Sequence, residues 1–399
     1  MLKLNQHLPR TVWALGFVSL FMDVSSEMIH SLLPLFLVTE LGASALVLGV
    51  IEGMAEAISL FVKTFSGVLS DWWRKRKSLI VIGYLLAALT KPIFAFSSTL
   101  SWVIMARFTD RVGKGIRGAP RDALIADVTP APQRGAAFGL RQSLDTCGAF
   151  IGPLIAMAGM LFFANSFHHV FALSILPAFI SVFILMIWVK EPEVHHEHRA
   201  PWPLKLAVLK QLPNAYWWVF ALAFISTLAR FSEAFLLLRA QTLGLSLAFT
   251  PLVLVIMSAV YAFSAYPFGK LSDTLGRTKL LILSLFLLVV ADAVLAAATH
   301  IYMVWIGVAI WGLHMGASQG ILSAMIADTA PASLRATGFG LFSLSCSLAT
   351  LLASVIAGWL WVSFGASMTF IVSAGFAVVA IGQILFAPTN AYGSSSGNA

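Results

Sequence analysis

Charge is scarce in this sequence. Only 11% of the residues are Asp, Glu, Lys or Arg and 59% are hydrophobic, against roughly 25% charged in an average soluble domain. So few charges cannot cover a water-facing surface on 399 residues, and lipid is the expected solvent. Cysteine is rarer still. Cys147 and Cys346 both sit in apolar runs, where a free thiol packs as a small hydrophobe. That excludes a disulfide framework and a thiolate metal site. No Gly-x-x-x-x-Gly-Lys-Ser/Thr loop is present, so ATP is not expected to act directly, and no His-Glu-x-x-His run suggests a metalloprotease. No enzyme activity, cofactor or resident metal is expected.

Long apolar runs are abundant. A helix crosses a ~30 Å hydrocarbon core in about 20 mostly apolar residues. Twelve such runs begin near Trp13, Ala45, Leu79, Trp102, Gly135, Phe167, Trp217, Pro251, Leu280, Tyr302, Thr337 and Ser367. Lys3 and Arg10 precede the first, but its length and the interrupting Asp23 and Glu27 favour an uncleaved span over a signal peptide. The expected fold class is an all-α polytopic membrane protein, with six-helix bundles at 1–189 and 216–388, a linker at 190–215 and a flexible tail at 389–399. Lys and Arg crowd alternate loops, including Arg74-Lys75-Arg76-Lys77, Arg134, Lys205, Lys210, Arg277, Lys279 and Arg335, whereas the opposite loops hold at most Arg239. This asymmetry predicts both termini in the cytoplasm and an inner-membrane location. It also accounts for the net charge of +8 without a nucleic-acid partner. In the linker, His195, His196 and His198 read as a solvated loop rather than a metal site, and Trp202–Leu212 as a short amphipathic segment on the inner membrane surface.

The two halves repeat. Gly67-Val68-Leu69-Ser70-Asp71 returns as Gly269-Lys270-Leu271-Ser272-Asp273. Ala126-Asp127, Pro130, Arg134 and Phe138-Gly139-Leu140 return as Ala327-Asp328, Pro331, Arg335 and Phe339-Gly340-Leu341. A duplicated six-helix unit with a mid-membrane site follows. The run from Gly67 to Lys77 resembles the signature loop between helices 2 and 3 of the major facilitator superfamily, and Gly269–Lys279 its weaker second copy. Trp73 departs from the glycine usual in the first. Arg111-x-x-Lys114-Gly115 resembles the family's helix-4 motif, and Gly148-x-x-x-Gly152-Pro153 the helix-5 motif associated with its antiporters. The resemblance implies a twelve-helix transporter fold over the whole chain and leans towards export by antiport.

Asp71 and Asp273 each lie where an apolar run meets water beside a basic cluster. With Arg74, Arg277, Arg134 and Arg335 they form a candidate gate that holds one face shut. Gly148 and Gly152 allow close helix packing, and Pro153 a local bend. Ionisable residues inside the spans are costly and face a cavity or a partner. In the fourth run Arg107, Asp110, Arg111, Lys114, Arg117 and Arg121 fall within a ~120° arc at ~100° per residue, with Arg117 and Arg121 nearest the cytoplasmic headgroups. Asp23 and Glu27 lie four apart with His30 on the same face, and Glu52 and Glu56 lie four apart in the second run. Arg141 with Asp145, Arg230 with Glu233, and Asp292 and His314 complete the set.

Three explanations remain open for these charges. Arg107, Arg111, Lys114, Arg117, Arg141 and Arg230 bind an anionic or zwitterionic solute while Asp23, Glu27, Glu52 or Glu56 exchanges protons; desolvation favours the neutral carboxyl. Alternatively, a cationic or lipophilic drug meets the acids directly, or every charge is paired for structure alone. The expected activity is proton-coupled secondary transport by alternating access, with a monomer in the bilayer and a small solute and protons as partners. Import of an anionic metabolite or metal chelate is the alternative, and a channel or transporter-like sensor is the different class.

Overall fold

The computed structural model describes residues 8–73, 75–130, 133–191, 211–318, 320–331 and 334–387. The linker histidines, most of the Trp202–Leu212 segment and the tail beyond 387 fall outside these. Among the described residues there is no strand. The helices are α1 (Arg10–His30), α2 (Leu33–Leu35, continued by a π turn at Phe36–Glu40), α3 (Ala45–Trp73), α4 (Arg76–Phe96), α5 (Leu100–Val128), α6 (Arg134–Phe162), α7 (Phe167–Leu173), α8 (Ile175–Trp188), α9 (Asn214–Leu228), α10 (Ala234–Thr242), α11 (Leu252–Leu275), α12 (Arg277–Ala296), α13 (Ile301–Ser318), α14 (Ile321–Thr329), α15 (Arg335–Phe364) and α16 (Ala366–Leu385). Every expected run begins within three residues of a helix start.

Among the described residues, ten segments are long and apolar enough to cross a bilayer. Two more make the order compatible with twelve crossings. One is α5, whose charges depress its hydropathy; the other is α9, only 15 residues long before it breaks. Large apolar side chains face outwards: Phe162, Phe263 and Phe386 are 83%, 83% and 89% exposed. Such a surface is stable only against lipid.

The chain divides into two compact units. Unit 1 holds Met1–Phe36 and Phe61–Pro201, and unit 2 holds Leu37–Leu60 and Trp202–Ala399. In unit 1, α4 and α5 meet backbone to backbone: a Cβ on Gly113 would stand 2.6 Å from the carbonyl oxygen of Gly83. Where lipid replaces water, such small-residue contacts are a main source of helix association. In unit 2, Gly53 on α3 plays this part against α15, where a Cβ would meet the Leu351 carbonyl oxygen at 2.9 Å.

Several crossings expected as single helices are broken, because a hydroxyl from a distant helix takes a carbonyl at the break. Ser25 donates to the carbonyl of Ser174 between α7 and α8 at 2.7 Å, and Ser373 to that of Ala229 after α9 at 2.6 Å. A carbonyl at a helix end needs such a partner when no water reaches it. The α13–α14 junction instead contains Gly320 at φ +70°, a left-handed conformation suited to glycine. Pro153 lies inside α6, which continues through it.

Candidate functional site

The glycine pair of α6 positions the two acids of α1. A Cβ on Gly148 would come within 2.8 Å of the Asp23 Cβ and of the Leu20 carbonyl oxygen. One on Gly152 would come within 2.7 Å of the Glu27 Cβ and 2.8 Å of the Val24 carbonyl oxygen. Only hydrogen fits at either place, so the crossing sets where both carboxylates stand. Asp23 lies within electrostatic reach of Arg117, Lys114 and Arg121, and of Asp145. Glu27 accepts from His30 at 3.2 Å and feels Lys114 and Arg111. The structure therefore brings Asp23, Glu27 and the α5 strip together in unit 1. Glu52, buried, and Glu56, half-buried, belong to unit 2.

The strip itself is interior. Arg107, Asp110, Arg111 and Arg117 are all buried, while Lys114 is exposed. Arg117 and Arg121 both make contacts with side chains of other helices. The Arg117 guanidinium lies 4.5 Å from the centre of the Tyr84 ring, a cation–π contact. Arg121 Nη1 donates to Ser19 Oγ at 2.7 Å and to the Tyr84 hydroxyl at 3.4 Å. Arg141 is bound to Asp145, with Nη1 to Oδ2 at 2.6 Å, and lies 3.9 Å from Asp122. Much of its charge thus serves an acid on its own helix.

Lys91 is the residue that sequence reasoning missed. It is buried on α4, donates to Asp110 Oδ1 at 2.9 Å and reaches Ser26 Oγ at 3.2 Å. A single lysine inside the run Leu85–Phe94 was the available signal. Asp110 thereby neutralises a cation of α4, besides standing 3.7 Å from Arg111.

In unit 2, Arg230 is exposed in the break between α9 and α10, within electrostatic reach of His314, Tyr261 and Cys346. His314 Nδ1 lies 2.8 Å from the Ser284 carbonyl oxygen, an acceptor that fixes the hydrogen on that nitrogen. Asp292 accompanies Ser373 at 2.5 Å. Gly316-Ala317-Ser318-Gln319-Gly320 carries the letters of a hydrolase nucleophile turn, but that turn requires a strand before it. Here Ser318 closes α13 and its hydroxyl donates to the Met315 carbonyl.

Of the candidate gate, Arg74 lies outside the described residues, as do the side chains of Asp71, Asp273 and Arg335. Arg134 opens α6 and is exposed. Arg277 forms an ion pair with Asp328, joining the start of α12 to the end of α14. Its counterpart in unit 1 is Arg76: Arg76 Nη1 pairs with Asp127 Oδ2 at 3.1 Å, and both partners lie 201 positions before Arg277 and Asp328. The backbone N–H of Arg76 also donates to Glu191 Oε1 at 2.5 Å, giving an orphan amide at the α4 start an anionic acceptor.

Comparison with known proteins agrees with this architecture. The family model described as Major Facilitator Superfamily matches residues 15–238 and 219–397. The chain is 31% identical over 388 residues to an uncharacterised MFS-type transporter of Methanocaldococcus jannaschii, covering 96% of each. It is 24% identical over 327 residues to the class H tetracycline resistance protein of Pasteurella multocida, covering 77% of this chain and 78% of that one. Among solved structures, an inward-facing, occupied bacterial homologue of the human lysosomal transporter Spinster superposes with a TM-score of 0.77 at 14% identity, covering 96% of this chain and 98% of that one. At that identity the likeness concerns the fold alone. The chain belongs to the Major Facilitator Superfamily: it is a multi-pass membrane transporter of small-molecule solutes and not an enzyme.

Proposed function

We propose that the chain is a secondary transporter working by alternating access, and that it moves a small anionic or zwitterionic solute coupled to protons. The observation that carries this reading is the α1–α6 crossing, where Gly148 and Gly152 hold Asp23 and Glu27 within reach of Arg111, Lys114, Arg117 and Arg121. These cations can serve the carboxylates or a solute anion. At 4 Å and an effective dielectric near 20, one such contact is worth roughly 4 kcal/mol before desolvation is counted. An arriving anion that takes the cations leaves a carboxylate in a dry interior, where it takes up a proton. Anion and proton then bind together, which favours co-transport.

A second arrangement, outward exchange against protons, is favoured by the Gly148-x-x-x-Gly152-Pro153 motif and by the relative named for tetracycline resistance. On this reading the excess of Lys and Arg in alternate loops supports cytoplasmic termini in the inner membrane, with the monomer as the working unit. Arg277–Asp328 and Arg76–Asp127 serve as gate contacts beside Asp71 and Asp273.

The first test is thermal stabilisation of the purified protein by a panel of small anions, organic cations and neutral drugs at two pH values. Stabilisation by an anion, lost in Arg111→Gln, supports the basic strip as the site; stabilisation by cations alone overturns it. Counterflow of the stabilising anion in proteoliposomes then gives the coupling sign. Co-transport predicts accumulation with the proton gradient, and exchange predicts accumulation against it. Unchanged pH dependence in Asp23→Asn and Glu27→Gln, and in Glu52→Gln and Glu56→Gln, defeats the coupling assignment.

A further inference from the structure

Ser373 on α16 stands between two acceptors. Its Oγ lies 2.6 Å from the carbonyl oxygen of Ala229, which caps α9, and 2.5 Å from Oδ2 of Asp292 on α12. A serine hydroxyl has one hydrogen to donate. If that hydrogen points at Asp292, two oxygens at Ala229 face each other at hydrogen-bond distance with nothing between them. If it points at Ala229, the contact with Asp292 lacks a hydrogen unless the carboxyl brings its own. A full, two-centre hydrogen bond at each contact requires one arrangement. Asp292 O–H donates to Ser373 Oγ, and Ser373 O–H donates to the Ala229 carbonyl.

Burial points the same way. Asp292 is 0% exposed, and its Oδ1 has no hydrogen-bond partner. An ionised carboxylate there would present a charged oxygen to apolar packing without a donor, whereas a protonated one leaves only a carbonyl oxygen unsatisfied. Several of the surrounding polar and charged groups are engaged elsewhere. α16 contains no Asp, Glu, Lys, Arg or His. On α13, His314 is directed at Ser284. Arg239 donates to the carbonyls of Leu295, Ala296 and Ala298, and Arg277 at the start of α12 pairs with Asp328 of α14. Tyr216 on α9 donates to Gly338. Tyr261 and Tyr266 on α11, Lys279 on α12, Tyr302 on α13, and Arg230 and Glu233 in the break are further ionisable groups of these elements; the side chains of Lys270 and Asp273 lie outside the described set. Among the described residues no ion pair reaches Asp292.

We propose that Asp292 holds a proton in this conformation, as a second protonation site located in unit 2, and that this proton controls the break between α9 and α10 through Ser373 and the Ala229 carbonyl. Loss of the proton turns the Ser373 hydrogen towards the carboxylate. The Ala229 carbonyl then loses its donor, and the segment carrying Arg230 loosens. Asp292 acts here as a positioning residue, and the proposal stands independently of the solute's charge.

The test uses the full-length protein in lipid vesicles. Infrared difference spectra of wild type against Asp292→Asn at neutral pH are expected to show the C=O stretch of a protonated carboxyl group, absent from the variant. The Asn side chain donates to Ser373 as the protonated acid does, so this variant keeps its fold. Ser373→Ala is expected to shift the band, because the acid loses its acceptor. Hydrogen exchange at 230–233 supplies the second readout. After division by the intrinsic base-catalysed rate, raising the pH lowers protection there in wild type by about tenfold, the loss of roughly one hydrogen bond, and leaves the protection in Asp292→Asn unchanged. An identical carboxyl region in wild type and Asp292→Asn overturns the proposal, as does a band that responds to sodium instead of pH.

Discussion

Replacing Gly148 or Gly152 by alanine tests the link between helix packing and the acids most directly. A Cβ at Gly152 would lie 2.7 Å from the Glu27 Cβ and 2.8 Å from a backbone oxygen, and at Gly148 both closest approaches are 2.8 Å. Ordinary carbon contacts fall at about 3.5–4.0 Å, so α1 and α6 must separate by roughly 1 Å. Overpacking of this kind costs about 1–3 kcal/mol. The same displacement moves Asp23 or Glu27 relative to the basic strip. Lengthening a charge contact from 4 to 5 Å at an effective dielectric near 20 weakens it by roughly 0.8 kcal/mol, and two or three contacts change together. Each variant is therefore expected to fold, to melt several degrees lower, and to lose between tenfold and a hundredfold in proton-coupled flux of the stabilising anion. The same helix contains its own control. Gly139 has nothing within 4 Å of a built Cβ, so Gly139→Ala is expected to be neutral or up to about 1 kcal/mol more stable. Thermal melts and proteoliposome flux on the three proteins decide the matter. Gly148→Ala and Gly152→Ala performing like Gly139→Ala would refute the reasoning.

The buried Lys91–Asp110 pair predicts a cycle. Lys91→Met and Asp110→Asn are each expected to destabilise by about 3–5 kcal/mol and the double variant by much less, measured by thermal melts; additive losses contradict the pairing. The exposed Arg277–Asp328 pair contributes at most about 1 kcal/mol to stability. Arg277→Gln is thus expected to leave the melting midpoint nearly unchanged while altering transport rate, and an unchanged rate removes Arg277 from the gate. Arg121→Lys keeps the charge but loses the fork that reaches Ser19 and Tyr84; it is expected to lower both stability and pH sensitivity, and a wild-type pH profile contradicts that.

The sequence carried much of the fold and part of the site. Gly148 and Gly152 signal a close crossing, but not that Asp23 and Glu27 lie beneath it, because the partner face is set by the rotation of α1. The α5 arc revealed the basic strip, whereas the pairing of its one acid, Asp110, with Lys91 depends on the Gly83–Gly113 contact between α4 and α5. The motif points to Arg74, which lies outside the described residues, and gives no sign of the Arg76–Asp127 pair, since the helix start aligns with the second copy one position away from the motif offset.

By itself the sequence determined the class, the helix starts, the duplication and the basic face. Lipid demands about 20 apolar residues per crossing and helical spacing puts residues three and four apart on one side. Only tertiary structure decided where the crossings break, which cations meet which acids, and which hydroxyl stands between Asp292 and Ala229. Those outcomes depend on a carbonyl or charge meeting a group from a distant helix, and no local pattern encodes that encounter.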